Sequence, residues 1–168
     1  MAETERELRI APFGPARGIG LAMVAKAGEG DFAGLWQKQL FPRAGEIRRP
    51  PRAAAFGVCR CIPGATDGSF EYLALLEATA DSPVPDGMMA LDIPAASYAV
   101  FRAPSLGELG QTWASVPQAM AAQTAWKPYC GADGCRCATH PSFEYHAWDC
   151  RQTGKVLIYV PVYRAWAR

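Results

Sequence analysis

The segments SFEYHAWDC at 142–150 and KVLIYVPVY at 155–163 decide the expected fold. Both are rich in aromatic and β-branched residues, and Gly154 separates them, as in two neighbouring antiparallel strands. Side chains of a strand alternate between the two faces of a sheet. If Phe143 packs against helices, as its apolar character suggests, Glu144 points away from them into the space between the halves of the chain.

The chain shows the same order of elements twice, over about 10–80 and about 86–168. The connecting residues 81–86 contain two prolines, which disfavour regular structure. The elements predicted in the first half are a strand at 18–25, a helix between a cap at Asp31 and Pro42, and strands at 53–62 and 69–79. Those of the second half are extended segments at 88–93 and 97–102, a helix that starts at a Ser105–Glu108 capping box and is kinked at Pro117, and strands at 142–150 and 155–163. We therefore predict a single α+β domain of two duplicated strand-helix-strand-strand modules.

Composition and charge exclude several classes of protein. Of the 168 residues 50% are hydrophobic and 20% are charged, which excludes a disordered chain and leaves enough apolar side chains to line a cavity. The net charge of +1 provides no field for following a phosphate backbone. The compact basic cluster, Arg48, Arg49 and Arg52, is interrupted by two prolines and is typical of a solvated loop. We predict no nucleic-acid partner.

The N-terminal residues 1–9 are charged and lack the apolar core of a secretory signal. No apolar run approaches the roughly 18 residues that a membrane-spanning helix needs. We therefore predict a cytoplasmic chain with no membrane partner. In that compartment the six cysteines are better interpreted as thiols or metal ligands than as disulfides.

Glu144 is the residue whose chemistry is most informative. A carboxylate among aromatic rings loses hydration, at a cost of several kcal/mol unless a cation, a proton or hydrogen-bond donors compensate. Such a group favours a cationic ligand, and aromatic ring faces attract cations as well. The same group is also suited to act as a general acid or base. The alternative left open by the pattern is an ordinary solvent-facing strand residue.

The string PSFEY at 141–145, followed by VLIYVPV at 156–162, resembles the C-terminal signature of the GyrI-like family. That family is related to the effector-binding domains of AraC-type and MerR-type regulators. The resemblance extends to 93–101, the helix around Trp113 and the duplicated layout. It implies that the two antiparallel sheets form a curved platform with a central hydrophobic cleft. Regulators of this kind carry a helix-turn-helix domain, for which this length leaves no room, so a stand-alone binding domain is expected.

The resemblance also implies that the cleft binds a small lipophilic or cationic molecule, with a glutamate as the main polar contact. Strand alternation and the duplication add further aromatic and imidazole side chains to the expected lining. The predicted ligand-binding residues are Glu144, Tyr98, Trp113 and Tyr159 from the resemblance, His146 and Trp148 from alternation, and Trp36 from the duplication.

Two further functions stay open. Some stand-alone members of the family hydrolyse cyclopropane-containing cytotoxins with the glutamate and an aromatic partner, so the resemblance allows a hydrolase in which Glu144 is the catalytic residue. Other members modulate topoisomerase, which allows a protein partner in the aromatic groove. Turnover of a reactive cyclopropane compound would separate the enzyme from the binding module.

The cysteines depart from the family pattern. Cys130, Cys135 and Cys137, with His140 nearby, offer sulfur and imidazole at short spacing, which suits tetrahedral zinc. Their intervals match no paired CxxC knuckle, so the main prediction is no metal and no cofactor, with a structural zinc as the alternative.

Overall fold

The computed structural model describes residues 8–131, 134–136 and 138–166. Its strands are β1 Arg9–Phe13, β2 Ala16–Ala25, β3 Ala55–Cys61, β4 Phe70–Glu77, β5 Met89–Ile93, β6 Ala96–Ala103, β7 Trp126–Pro128, β8 Cys130–Gly131, β9 Gly134–Cys135, β10 Ser142–His146 and β11 Val156–Arg164. Its α-helices are α1 Phe32–Gly34, α2 Leu109–Ala121 and α3 Cys150–Thr153.

Two helical segments pack against one face of the sheet. The first helical wall consists of α1, a π-helix over Leu35–Leu40 and a 3-10 helix over Phe41–Glu46. The second helical wall consists of a 3-10 turn over Leu106–Glu108 and α2. Asp31 caps the first wall as predicted, because its Oδ1 accepts a hydrogen bond from the Gly34 backbone at 2.8 Å. The predicted end at Pro42 is wrong, since proline is tolerated in the first turn of the following 3-10 helix.

Nine strands of the described chain form one antiparallel sheet in the order β1-β6-β11-β10-β3-β4-β2-β5, with β7 paired to the end of β11. β2, the first helical wall, β3 and β4 form one half, and β6, the second helical wall, β10 and β11 form the other. The two halves join where β10 pairs with β3. The predicted α+β class and the duplicated order of elements are confirmed.

The edges of the sheet are exchanged between the halves. β1 precedes β2 in the chain but pairs with β6, and β5 precedes β6 but pairs with β2. β1 was not predicted, because its sequence RIAPF carries no alternating apolar pattern and contains a proline. Proline is tolerated there since β1 is an edge strand.

The sheet is curled, and side chains from both of its edges and from its centre pack together on one face. This aromatic face carries rings from five strands: Phe13, Phe56, Tyr98, Phe143, Tyr145 and Tyr159. The other face, the helix face, packs against both helical walls through two separate apolar clusters. The assumption that Phe143 packs against the helices is therefore wrong, because its ring lies on the aromatic face and is fully buried.

The strand predicted over 142–150 ends at His146. Residues 147–149 form a turn, and α3 follows before β11 begins. Within the described residues, none of the helices has the length or apolar character needed to cross a bilayer.

Candidate functional site

A cleft of about 1130 Å³ opens on the helix face between the two helical walls. Its sides are mostly apolar and come from Phe32, Trp36 and Phe41 of the first wall and Leu106, Leu109 and Trp113 of the second. The floor is formed by the strands at the junction of the two halves and includes Tyr72, Glu144 and His146. The cleft is thus apolar at its sides and polar at the centre of its floor.

Glu144 lies at the centre of that floor and is only 6% exposed. Three side chains contact its carboxylate. Trp113 donates an indole N–H to Oε1 at 2.9 Å, and Tyr72 donates its hydroxyl to Oε2 at 3.0 Å. The imidazole Nε2 of His146 lies 3.2 Å from Oε2. These contacts replace part of the hydration that the carboxylate loses on burial.

The hydrogen bonds continue across the cleft floor to the opposite wall. Trp36 donates its indole N–H to the Tyr72 hydroxyl oxygen at 3.0 Å, while that hydroxyl donates to Glu144. A network from Trp36 through Tyr72 and Glu144 to Trp113 therefore joins the two walls. Because both indoles are fixed by their N–H groups, the sides of the cleft are held at a set separation.

Gly57 leaves the space that the carboxylate occupies. It is the β3 partner of Glu144 in the sheet register. A Cβ at this position would lie under 3.0 Å from Glu144 Oε2 and from the Tyr72 hydroxyl, closer than real Cβ contacts are found. The absence of a side chain at 57 is thus a condition for placing a glutamate here.

Burial raises the pKa of the Tyr72 hydroxyl well above its ordinary value, and the neighbouring Glu144 carboxylate raises it further. Tyr72 therefore keeps its proton and remains a donor to Glu144 over the physiological range. Burial, with Glu144 nearby, likewise raises the pKa of Cys59, which lines the cleft as a thiol.

The raised pKa of Tyr72 predicts a loss of stability in alkali. A tyrosine in the unfolded chain releases its proton near pH 10, whereas the folded protein retains it, so the free energy of unfolding falls as pH rises above about 10. Tyr72→Phe lacks this proton, and we expect its stability to fall less steeply between about pH 9 and about pH 11. Urea titrations of both proteins across this range measure the difference, and equal slopes would contradict the assignment.

Removing the Tyr72 hydroxyl at neutral pH tests the network itself. Tyr72→Phe leaves the Trp36 indole N–H without its acceptor and Glu144 without one donor. We expect a loss of about 2 kcal/mol in the free energy of unfolding, since a buried polar group without a partner costs roughly 1–3 kcal/mol. Tyr159→Phe is the control, because Tyr159 lies on the aromatic face away from the network. Equal losses in the two variants would show that the network contributes nothing particular.

The structure brings together five of the residues predicted from sequence. They are Trp36, Trp113, Glu144, His146 and Trp148, all of which line the cleft. Trp148 reaches it from the turn after β10 rather than from the strand, is 57% exposed and lies at the mouth. That these residues contact a ligand stays a prediction.

Tyr98 and Tyr159 lie on the aromatic face and are not among the described residues that line the cleft, so their predicted place in its lining is wrong. The β10–β11 register pairs Glu144 with Ile158, so Tyr159 shares the opposite face with Phe143, on whose ring it stacks at 5.1 Å. Tyr98 is fully buried on the same aromatic face and donates its hydroxyl to the Pro94 carbonyl at 2.8 Å. Burial there raises the pKa of Tyr98 to about 12.

Sequence reasoning missed Tyr72, Gly57 and the arginines that line the cleft, which are Arg49, Arg52 and Arg151. Tyr72 precedes Ala74 and Leu76 at a spacing of two, so alternation in β4 could have placed it on the helix face. No signal in one sequence reveals that Gly57 stands opposite Glu144, because the pairing joins strands from different halves.

The described residues of the cysteine-rich loop are not among those that line the cleft. Cys130 pairs with Cys135 through the backbone of β8 and β9, and the His140 ring stacks on Tyr129 at 4.1 Å. Cys137 lies outside the described residues, and of Cys135 only the strand pairing is described. Among the described residues no group of three or more potential metal ligands occurs. The alternative zinc site stays a prediction.

A curled antiparallel sheet carrying two helical walls, with a cleft between them, defines the class of GyrI-like effector-binding domains. Residues 15–162 match the family described as integron-associated effector binding protein, and the chain belongs to this family. The family resemblance inferred from the sequence is confirmed.

Among curated proteins, the chain is similar to the transcriptional regulator BrlR of Pseudomonas aeruginosa. The two are 28% identical over 141 residues, which represent 80% of this chain and 47% of the regulator. The chain thus spans about half the length of the curated relative it matches.

Two solved structures show the same fold. The integron cassette protein VCH_CASS2 from the mobile metagenome of Vibrio cholerae superposes with a TM-score of 0.65 at 14% identity, over 94% of this chain and 97% of that one. SAV2435, in a structure bound to tetraphenylphosphonium, superposes with a TM-score of 0.64 at 14% identity, over 94% of each chain. These similarities establish the fold. The ligand of this chain has to be inferred from its own residues.

Proposed function

We propose that the chain binds a lipophilic small molecule that carries a positive charge, and that Glu144 supplies the counter-charge. The observation that carries this proposal is a buried carboxylate at the floor of a cleft whose sides are mostly apolar. A delocalised cation loses little on leaving water and gains attraction to both the carboxylate and the aromatic rings.

The energetics of the cleft favour a guest with a large apolar body. Burial of apolar surface contributes about 25 cal/mol per Å², so a molecule that covers the six apolar side chains of the two walls gains most of its affinity from them. The polar contact then selects by charge. Trp36 and Trp113 are held by the hydrogen-bond network, so the walls need little reordering when a guest enters.

The comparisons support the proposal at the level of the family. The chain belongs to an effector-binding family, and its curated relative is a transcriptional regulator. One structural neighbour is described in complex with a lipophilic cation. These relationships are consistent with a sensing or sequestering domain.

Calorimetric titration with tetraphenylphosphonium tests the proposed function. We expect the unaltered protein to bind it and Glu144→Gln to bind it at least about tenfold more weakly, which corresponds to about 1.4 kcal/mol. Glu46→Gln is the matched control, because Glu46 pairs with Arg43 on the exposed surface outside the cleft. Unchanged affinity in Glu144→Gln would exclude the counter-charge role.

A second candidate function is hydrolysis of an electrophilic, cyclopropane-type cytotoxin. The observation that favours it is the Tyr72 hydroxyl 3.0 Å from Glu144 inside the cleft, a carboxylate with an aromatic partner. Glu144 would accept a proton from water as the water oxygen bonds to a ring carbon and the strained C–C bond breaks, and it would return that proton to the displaced carbon; the aromatic partner would position the water. Chromatography of a reactive cyclopropane compound incubated with the protein follows the product. Glu144→Gln should then abolish turnover and retain apolar binding, whereas unchanged turnover would exclude this role.

A further inference from the structure

The mouth of the cleft carries a charge opposite to that of its floor. Three arginines line it, Arg49 and Arg52 from the loop after the first helical wall and Arg151 from α3, and all three are exposed. Glu144 is the single carboxylate among the described lining residues. An entering molecule therefore meets guanidinium groups first and the carboxylate last.

These three arginines differ from others nearby in the ion pairs that the described residues form. Arg43, Arg48 and Arg60 each form an ion pair with a carboxylate. Over the described ranges, no such pair within 4.0 Å involves an arginine of the mouth. Arg49 makes one long hydrogen bond, to the Ala53 carbonyl at 3.5 Å, and is attracted by Glu77.

Two of the mouth arginines lie over aromatic rings, which leaves their N–H groups available to bind an anion. The Arg52 guanidinium lies 5.3 Å from the centre of the Trp148 ring, and that of Arg151 lies 5.4 Å from the centre of the Phe41 ring. A guanidinium over an aromatic face keeps its in-plane N–H donors available for a carboxylate, sulfate or phosphate.

We propose that the mouth formed by Arg49, Arg52 and Arg151 is a second subsite, which binds a carboxylate, sulfate or phosphate group of a ligand whose apolar body lies in the cleft. Together with Glu144 it selects a bipolar molecule, cationic or hydrogen-bond-donating at its inner end and anionic at its outer end. The inference rests on the proposed function, because it requires that the cleft takes up the apolar body.

A pair of fluorescent probes separates the two proposals. Anilinonaphthalene sulfonate and neutral phenylnaphthylamine have the same apolar rings and differ by one sulfonate. At low salt we expect the sulfonate to bind about threefold to tenfold more tightly, and this preference to shrink at high salt, as contacts between exposed charges do. Competition between the probes shows that they share the cleft.

The triple variant Arg49→Gln, Arg52→Gln, Arg151→Gln should lose the preference for the sulfonate and keep its affinity for phenylnaphthylamine. Arg48→Gln is the control for loss of an arginine charge outside the cleft, since Arg48 pairs with Asp81 there; it removes one positive charge where the triple variant removes three. A preference that is absent in the unaltered protein, or that survives in the triple variant, would overturn the second subsite alone. Failure of both probes to bind would overturn the apolar cleft and, with it, this inference.

Discussion

Gly57→Ala is expected to lower the free energy of unfolding by about 2 kcal/mol and to remove most of the affinity for tetraphenylphosphonium. The added methyl group overlaps the Glu144 carboxylate and the Tyr72 hydroxyl. Both groups are buried and hydrogen-bonded to each other, so neither can retreat without breaking a bond. Overpacking of a well-packed site typically costs roughly 1–3 kcal/mol. Urea unfolding and calorimetry measure the two effects.

Gly45→Ala is the matched control for this substitution. Gly45 lies in the first helical wall with no atom within 4 Å of a built Cβ, and it is exposed. We expect a change within about 0.5 kcal/mol, as for an ordinary surface substitution. If Gly57→Ala were as well tolerated as Gly45→Ala, the carboxylate would not occupy the position assigned to it.

Phe143→Ala is expected to lower the free energy of unfolding by about 3–5 kcal/mol, the usual cost of emptying a buried phenylalanine site. Phe143 is fully buried at the centre of the aromatic face, stacked on Tyr159 and in edge contact with Phe56 and Tyr98. The surrounding rings come from several strands and cannot all close the gap. Thermal or urea unfolding measures the loss.

Phe41→Ala separates the two faces of the sheet. Phe41 is 37% exposed, lines the cleft and lies under Arg151. We expect it to cost less than about 1 kcal/mol of stability and to weaken binding of a lipophilic guest, because its loss removes partly exposed wall area and the ring beneath Arg151 but no buried core. Phe143→Ala, assayed where it remains folded, should retain that binding. The reverse result would show that the ligand lies on the aromatic face.

The orientation of Glu144 was predictable from the sequence because it depends on the local alternation of side chains along a strand. The aromatic and acidic residues of 142–146 alternate strictly, so Glu144 had to face away from Phe143 whichever face was packed. The duplicated order of elements likewise follows from local signals such as the Asp31 cap. Trp36 and Trp113 occupy corresponding walls, which the duplication anticipated.

The register between β10 and β11 decides on which face of the sheet Tyr159 lies. A strand that continued to residue 150 and turned directly into the next one would pair Glu144 with Pro161 and set Tyr159 on the same face. In the structure the first strand stops at His146, a turn and α3 intervene, and Glu144 pairs with Ile158. This shift by three residues, an odd number, moves every side chain of β11 to the other face. Register between strands depends on loop geometry that alternation does not contain.

The contacts of Glu144 with Tyr72 and Gly57 could not be predicted, because they depend on pairing between strands that are distant in the sequence. Tyr72 and Gly57 meet Glu144 because β4 and β3 of one half are brought against β10 of the other. The local sequence around Glu144 therefore identified the acidic group. It did not identify Tyr72 as its hydrogen-bond donor, or Gly57 as the residue whose missing side chain leaves space for the carboxylate. The sequence predicted a solvated loop around Arg49 and Arg52, but it did not predict that this loop borders the cleft.

A crystal structure of the protein with tetraphenylphosphonium tests the central claim most directly. We expect the cation between the two helical walls, its phenyl groups against Trp36 and Trp113 and its phosphorus above the Glu144 carboxylate. A guest bound elsewhere, or a cleft closed by its own side chains with no guest inside, would contradict the account.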